Sequence, residues 1–248
     1  MINNKIIEFY NKYFWDFISD YDTSNSNILR KVVHSYSVAE KCYKIGCYLK
    51  LNQDDRNFCY LMGLLHDIGR FEQWKIYGTY NDKASKDHGD IGADILSRIN
   101  AKVFKISSTR KKVMIEAIKW HTKPYHGKNK DVIFFNQIIN NADAYSNVIA
   151  MSYGVKPINA KDDGVTNEIL NDFLNQKPLL RYFPKTKLDS ILMQTACAYY
   201  VKFDYIRREI VNMKYIDIIY ETFLMHLNES DRKIYKMAMD TLKSKYIC

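Results

Sequence analysis

Residues 63–74 read Gly-Leu-Leu-His-Asp-Ile-Gly-Arg-Phe-Glu-Gln-Trp, and the reading of His66 and Asp67 at the end of that apolar run governs the reading of the chain. Two ionisable groups side by side, where the pattern assigns core, form either a metal site or a chance pair at a helix end. The dipeptide by itself decides nothing. With 6 His and 20 Asp in 248 residues, about one chain in two of this composition contains such a pair by chance. Neighbouring segments have to supply the evidence.

Those segments are helical. Only 9 Gly and 4 Pro occur, and apolar residues recur mostly at three- and four-residue spacing, which predicts an all-α protein. Expected helices cover 3–19, 25–50, 54–68, 88–99, 109–121, 131–150, 166–176, 187–201, 203–212, 214–227 and 229–245, with loops at 72–87, 122–130, 152–165 and 177–186. Asn25 or Ser26 and Asp54 are expected N-caps. No linker separates the halves. The expectation is a single helical domain over 1–248, with a core at about 20–150 and a C-terminal helical extension at about 151–248.

On these helices, ionisable side chains take positions that belong to core. His88 continues the face of Ile91, Ile95 and Ile99. Met114, Ala117 and Ile118 lead at i, i+3 and i+4 to His121. Phe135 and Ile139 lead at the four-residue step to Asp143. His34 flanks the stripe of Ile28, Val38, Cys42 and Ile45. One inward histidine is ordinarily a hydrogen-bonded core residue, and His226, on the border of the Ile219–Phe223–Leu227 stripe, serves as that control. Four inward histidines with two inward aspartates on successive segments are a different matter. A buried lone carboxylate costs several kcal/mol unless it is paired or bound to a cation. One shared cation site, or two adjacent ones, satisfies the whole set. Imidazole mixed with carboxylate suits Fe, Mn, Co, Ni or Zn better than Mg or Ca.

Composition narrows the class. At 47% hydrophobic and 26% charged residues the chain reads as soluble and globular, and its longest apolar stretches are far shorter than a membrane span. The amino-terminal stretch MINNKIIEFYNKYFWDF reads as an amphipathic helix, not a signal peptide. Five cysteines at 42, 47, 59, 197 and 248 form no C-x-x-C pair, which points to reduced thiols and a cytoplasmic location. The net charge of +9 fits a solvated basic surface or an anionic small substrate; the lysines are spread rather than clustered, so nucleic acid is not the favoured partner.

The order His34, then His66-Asp67, then Asp143 resembles the HD-domain metal-dependent phosphohydrolases. The stretch LLHDIGRFEQW resembles that family's His-Asp motif, while SKDHGDIGADIL with His88 and IEAIKWHTKPY with His121 are similar to the extra ligand positions of its two-metal members. IINNADAYSN supplies the closing Asp143. The likeness covers about 28–150. It departs at Asn141, where many relatives carry a charge, and at Arg70, where Lys is commoner.

The resemblance implies an HD-domain helical bundle. His34, His66, Asp67 and Asp143 would hold one divalent metal ion, and Asp67 would bridge to a second completed by His88 and His121. A metal-activated hydroxide would attack a phosphate ester, of a nucleotide or a related small molecule. Asp67 and Arg70 are then the expected catalytic residues, and Arg70, Lys119 and Lys123 the candidates for gripping phosphate. Glu72 sits near the place of an acid/base Glu in some single-metal members but is offset from it, so that role is not assigned. The loop at 72–87, with Trp74, Tyr77 and Tyr80, is expected to cover the site. Two other readings share these ligands: a di-iron oxygenase on the same fold, and a non-catalytic module that senses nucleotides.

Overall fold

The structure, a computed structural model, describes residues 5–154, 158, 160–179 and 182–246. Among those residues lie twelve α-helices, two short 3-10 helices and no strand, with one isolated bridge between Asp162 and Thr186. The protein is all-α. It divides into two compact units, Met1–Asp143 and Ala144–Cys248, and the division falls inside the seventh helix. No helix among the described residues is long and apolar enough to cross a membrane.

The first unit holds α1 (Lys5–Ile18), α2 (Ser26–Tyr48), α3 (Gln53–Leu65), α4 (Ile68–Tyr77), α5 (His88–Arg98), the 3-10 turn Ala101–Phe104, α6 (Ser108–Lys119) and most of α7 (Lys130–Ser152). Its centre is α3, in which every residue from Asn57 to Leu65 is buried. Helix α2 packs along α3, and Gly63 permits the close approach: a Cβ there would lie 2.8 Å from the Ala39 Cα and 2.9 Å from the Val38 carbonyl. Helix α1 lays Ile7, Tyr10, Phe14 and Ile18 against this pair, the i, i+3, i+4 pattern of a one-sided helix. Asn25 caps α2 by accepting the Asn27 N–H. Asn52, not Asp54, caps α3 by accepting the Asp55 N–H; Asp54 stands within the first turn, where an acid favours the helix N-terminus.

The expected loop at 72–87 is half helix. α4 runs to Tyr77 and stops at Gly78, which takes the left-handed conformation at φ 63°. It is a short helix that buries Ile68, Gly69, Phe71 and Gln73 and leaves Ile76 and Tyr77 exposed. Phe71 is its main anchor and meets Phe14, Phe17 and Tyr21 at ring distances of 5.6–6.2 Å. In α5 the buried face runs through Ile91, Gly92 and Leu96, whereas Ile95 and Ile99 are only half-buried. His88 at its first position is buried nonetheless.

The second unit holds the end of α7, then α8 (Asn167–Leu174), α9 (Lys187–Thr195), the 3-10 helix Ala196–Tyr200, α10 (Asp204–Asn212), α11 (Tyr215–Leu224) and α12 (Glu229–Ser244). The expected helix 187–201 therefore tightens into 3-10 geometry over its last turn. A capping box of Thr186 and Asp189 opens α9. Among the described residues Cys42, Cys47, Cys59 and Cys197 form no disulfide; Cys248 lies outside the described residues.

Candidate metal centre

Six side chains from five elements of the first unit converge. His34 lies on α2, His88 opens α5, His121 follows α6, and Asp143 is on α7. His66 and Asp67 occupy the break between α3 and α4, where His66 is the C-cap of one helix and Asp67 the N-cap of the next. Asp67 makes no capping hydrogen bond, so its carboxylate is left for other partners. Gly69 is what brings this break against α5. A Cβ at Gly69 would fall 2.1 Å from the His88 carbonyl oxygen and 2.6 Å from the Gly92 nitrogen. Its lack of a side chain serves close approach within α4, not a turn of the chain.

Asp67 is shared between two groups. Its Oδ2 faces His34 Nε2 at 3.7 Å and His66 Nε2 at 3.6 Å, and its Oδ1 faces His88 Nε2 at 3.3 Å and His121 Nε2 at 3.8 Å. Asp143 Oδ1 joins the first group, 2.9 Å from His34 Nε2 and 3.9 Å from His66 Nε2. His34, His66 and Asp67 could therefore hold one metal ion, and Asp67, His88 and His121 another. His66, Asp67, His88 and His121 are buried, while His34 and Asp143 keep partial access to solvent.

The proton inventory shows what this cluster lacks. His66 Nδ1 donates to the Gly63 carbonyl at 2.7 Å, and His121 Nδ1 to the Ile118 carbonyl at 2.6 Å. A carbonyl only accepts, so each ring carries its proton on Nδ1 and presents a bare Nε2. His66 Nε2 is buried without any hydrogen-bond partner. His88 donates from Nδ1 to Asp82, which turns its own Nε2 towards His121 Nε2 at 3.1 Å. Two lone pairs at that distance repel unless a cation lies between or beside them. Burial pushes His121 down to about 3 and His34 to about 4, so neither of these two rings takes up a second proton at neutral pH. Burial alone would raise Asp67 and Asp143. The Lys31 ammonium and the imidazoles around Asp67, and the His34 hydrogen bond to Asp143, outweigh it and keep both carboxyls ionised, well below the usual range. Neutral His34 and His121, ionised Asp67 and Asp143 and the orphaned His66 Nε2 suit a divalent transition metal.

Asp82, which sequence reasoning missed, supports the centre from outside. It accepts from His88 Nδ1 through both oxygens, at 2.9 and 3.0 Å, and from the His88 backbone N–H at 3.1 Å. Gln73, fully buried on α4, donates to Asp82 at 2.8 Å and accepts from Arg70 at the same distance. Asp82, Asp87 and His88 also cluster tightly enough to suggest a third cation position. Their acceptors are already supplied with protons: Asp82 by His88, Arg70 and Gln73, and Asp87 by the Asp90 N–H and Lys123. This cluster is an ordinary hydrogen-bonded one.

The cations lie differently from expectation. Arg70 directs one terminal nitrogen to Gln73, Asp82 and the Tyr80 carbonyl, and its Nε stands 3.7 Å from Asp67 Oδ1. Its terminal nitrogens are thus engaged inside the protein, while Nε is buried without a hydrogen-bond partner. Lys123 pairs with Asp87 and Asp90 at 3.2 and 3.1 Å, and Lys119 stands 3.7 Å from Asp90, both at the start of α5. Nearest to the ligands is Lys31, with Nζ 2.7 Å from Asp67 Oδ2 and only 18% of its side chain exposed. The signal was present in the sequence, since Lys31 precedes His34 by three residues on the same face of α2. Tyr80, expected in a covering loop, is committed: its ring faces Lys31, Arg30 and Arg70, and its hydroxyl donates to the Asn27 carbonyl. Trp74 stacks near Tyr80 and Tyr77 is exposed. Glu72 accepts from the Tyr21 hydroxyl, while His126 and the control His226 are exposed.

Residues 32–148 match the family model of the HD domain, and every one of the six converging residues lies inside that span. The chain carries an HD domain. Domains of this family bind divalent metals and are in general metal-dependent phosphohydrolases. Comparisons with curated proteins and with solved structures returned no match.

Proposed function

We propose that this protein is a two-metal phosphohydrolase acting on a phosphate ester of a nucleotide or a related small molecule. In this reading His34, His66, Asp67 and Asp143 hold one divalent transition metal, and Asp67, His88 and His121 hold the other. The observation that carries it is the division of Asp67, one oxygen towards each histidine pair, in a cluster where His66 and His121 each commit the Nδ1 proton to a backbone carbonyl and His66 Nε2 is buried without a partner. Bound metal ions would supply charge neutralisation on the phosphoryl group and water activated near neutral pH.

The chain's own residues do the rest. Asp67 would offer one carboxylate oxygen to each half of the centre, Oδ2 beside His34 and His66 and Oδ1 beside His88 and His121. Nδ1 donation from His66 and His121 to backbone carbonyls fixes both rings, so neither has to reorient to bind. Lys31 takes the phosphate contact for which Arg70 was the first candidate. Its flexible ammonium reaches the edge of the cluster, and metal binding by Asp67 would release it for a substrate anion. Arg70 acts one step back, holding Asp82. Lys119 and Lys123, half-exposed and paired with acids, can contribute only to a more distant part of a substrate.

The test is elemental analysis of protein purified without chelator, followed by a panel of phosphomonoesters and nucleotides assayed with the metal found. Phosphate release that persists without oxygen supports hydrolysis. Turnover that requires oxygen favours the di-iron oxygenase reading, and tight nucleotide binding with no turnover on any metal favours the sensing module.

A further inference from the structure

The two halves of the centre are supported differently. His66 and His121 are each steadied by one backbone carbonyl. His88 is steadied by a charged side chain that belongs to a network of its own: Asp82, Gln73, Arg70 and the Tyr80 carbonyl. We infer that Asp82 is a positioning residue that sets how tightly the Asp67–His88–His121 half of the centre holds its metal, separately from the half built on His34, His66 and Asp143. The inference rests on the two-metal reading above and deepens it.

Three observations lead there. First, Asp82 grips His88 at two points, the ring Nδ1 and the backbone N–H. The first residue of α5 is thereby fixed in rotation as well as in place, and Nε2 is aimed at Asp67 and His121. Second, Asp82 cannot turn away. Arg70 Nη1 at 3.1 Å and Gln73 Nε2 at 2.8 Å hold Oδ1, and Gln73 reaches on to the Ser85 hydroxyl and the Lys86 carbonyl. The segment between α4 and α5 is thus bolted to the buried end of α4. Third, apart from Arg70 Nε at 3.7 Å from Oδ1 of the shared Asp67, the network touches only this half: none of its bonds runs to His34, His66 or Asp143. A carboxylate accepting the distal N–H of a metal-binding imidazole also raises the basicity of the ligating nitrogen, which strengthens its bond to a metal. Arg70 and Gln73 thus act on the metal through Asp82 and His88 rather than on substrate.

The test is Co2+ titration of the chelator-treated full-length chain, read by visible absorption of the bound ion and by elemental analysis after desalting. The parent protein takes up two Co2+ per chain. Asp82→Ala should take up one with parental affinity and the second at least about tenfold more weakly, in the range seen when such outer partners are removed. His121→Ala, which removes a proposed ligand of the same half, should show the same single retained ion and the same remaining absorption band. Asp82→Asn keeps the shape and an acceptor oxygen but loses the charge, so it should weaken the second ion by a smaller factor; it decides the matter if the alanine variant does not fold. Two ions bound with parental affinity by the folded Asp82 variants would overturn the inference and leave the two-metal reading intact. Equal weakening of both ions would also overturn it, because it would make the effect global. A parent protein that binds a single Co2+ overturns the two-metal reading and the inference together.

Discussion

Buried carboxylates occur in both units of the chain, and they are treated in opposite ways. In the second unit Asp189 is fully buried and accepts from the Thr166 N–H and hydroxyl and from the N–H groups of Lys185 and Thr186. Asp231 accepts from the Gly164 N–H at 2.7 Å and the Asn228 side-chain amide at 3.2 Å, and Asp172 accepts from the Tyr182 hydroxyl. Each serves as a local knot that ties a loop or caps a helix. In the first unit Asp67 is just as buried but faces four imidazole nitrogens, and one of them, on His66, has no partner. Burial of an acid therefore does not mark a site. A deficit of protons around it does.

Substitutions can break that contrast or sharpen it. The largest effect is expected from Asp67→Ala, which removes the carboxylate common to both halves. Phosphohydrolase activity should fall by about a thousandfold or more, equivalent to several kcal/mol of lost charge stabilisation. Asp189→Ala should do the reverse: metal content unchanged, and stability lowered by about 2–4 kcal/mol in urea titration as buried donors lose their acceptor. Next is Gly69→Ala. Its new methyl group meets backbone atoms of α5 rather than a flexible side chain, so it should cost about 3 kcal/mol and weaken metal binding as His88 moves. Lys31→Met should leave metal content near the parental level and raise KM for a phosphate substrate by about tenfold, the loss of one charge-assisted hydrogen bond.

The pH dependence of the metal-free protein follows from the same contrast. His34 and His121 titrate at about 4 and about 3 when folded, against an ordinary value of 6.5. Between those values the unfolded chain binds protons that the folded one refuses. Stability is therefore full above about pH 6.5 and declines as pH falls towards 4. Below the usual carboxylate range Asp67 and Asp143, both held low in the folded state, add a further loss. Thermal melts of chelated protein from pH 7.5 to pH 4 should show a falling Tm, and bound metal should flatten the upper part of the curve. The smallest effect belongs to His226→Ala: metal content unchanged and activity within about twofold of the parent.

Much of the centre was legible because burial and charge conflict openly in a helical pattern. His121 and Asp143 stand where the stripes of α6 and α7 demand apolar residues, and the structure brings both to Asp67 and His66. The helical class was legible for the same reason. What could not be read depended on contacts between segments. Helix α4 reads as loop because its buried residues, Ile68, Gly69, Phe71 and Gln73, form no apolar stripe while Ile76 and Tyr77 stay exposed, and it packs chiefly on α5. The purpose of Gly69 shows only in its distance to the His88 carbonyl. Asp82 lay unnoticed among polar neighbours, since nothing in NDKASKD singles out the acid that folds back on His88. Arg70 was placed by its nearness in sequence to Asp67, whereas its partners are Asp82 and the Tyr80 carbonyl.

The central claim is that Asp67 unites two divalent metals in one hydrolytic centre. Its most direct test is the metal content of the parent and Asp67→Ala proteins, purified side by side without chelator and checked for folding by circular dichroism. The account predicts about two transition metal ions per parent chain and nearly none in the variant. A folded Asp67→Ala protein that retains both ions would contradict it.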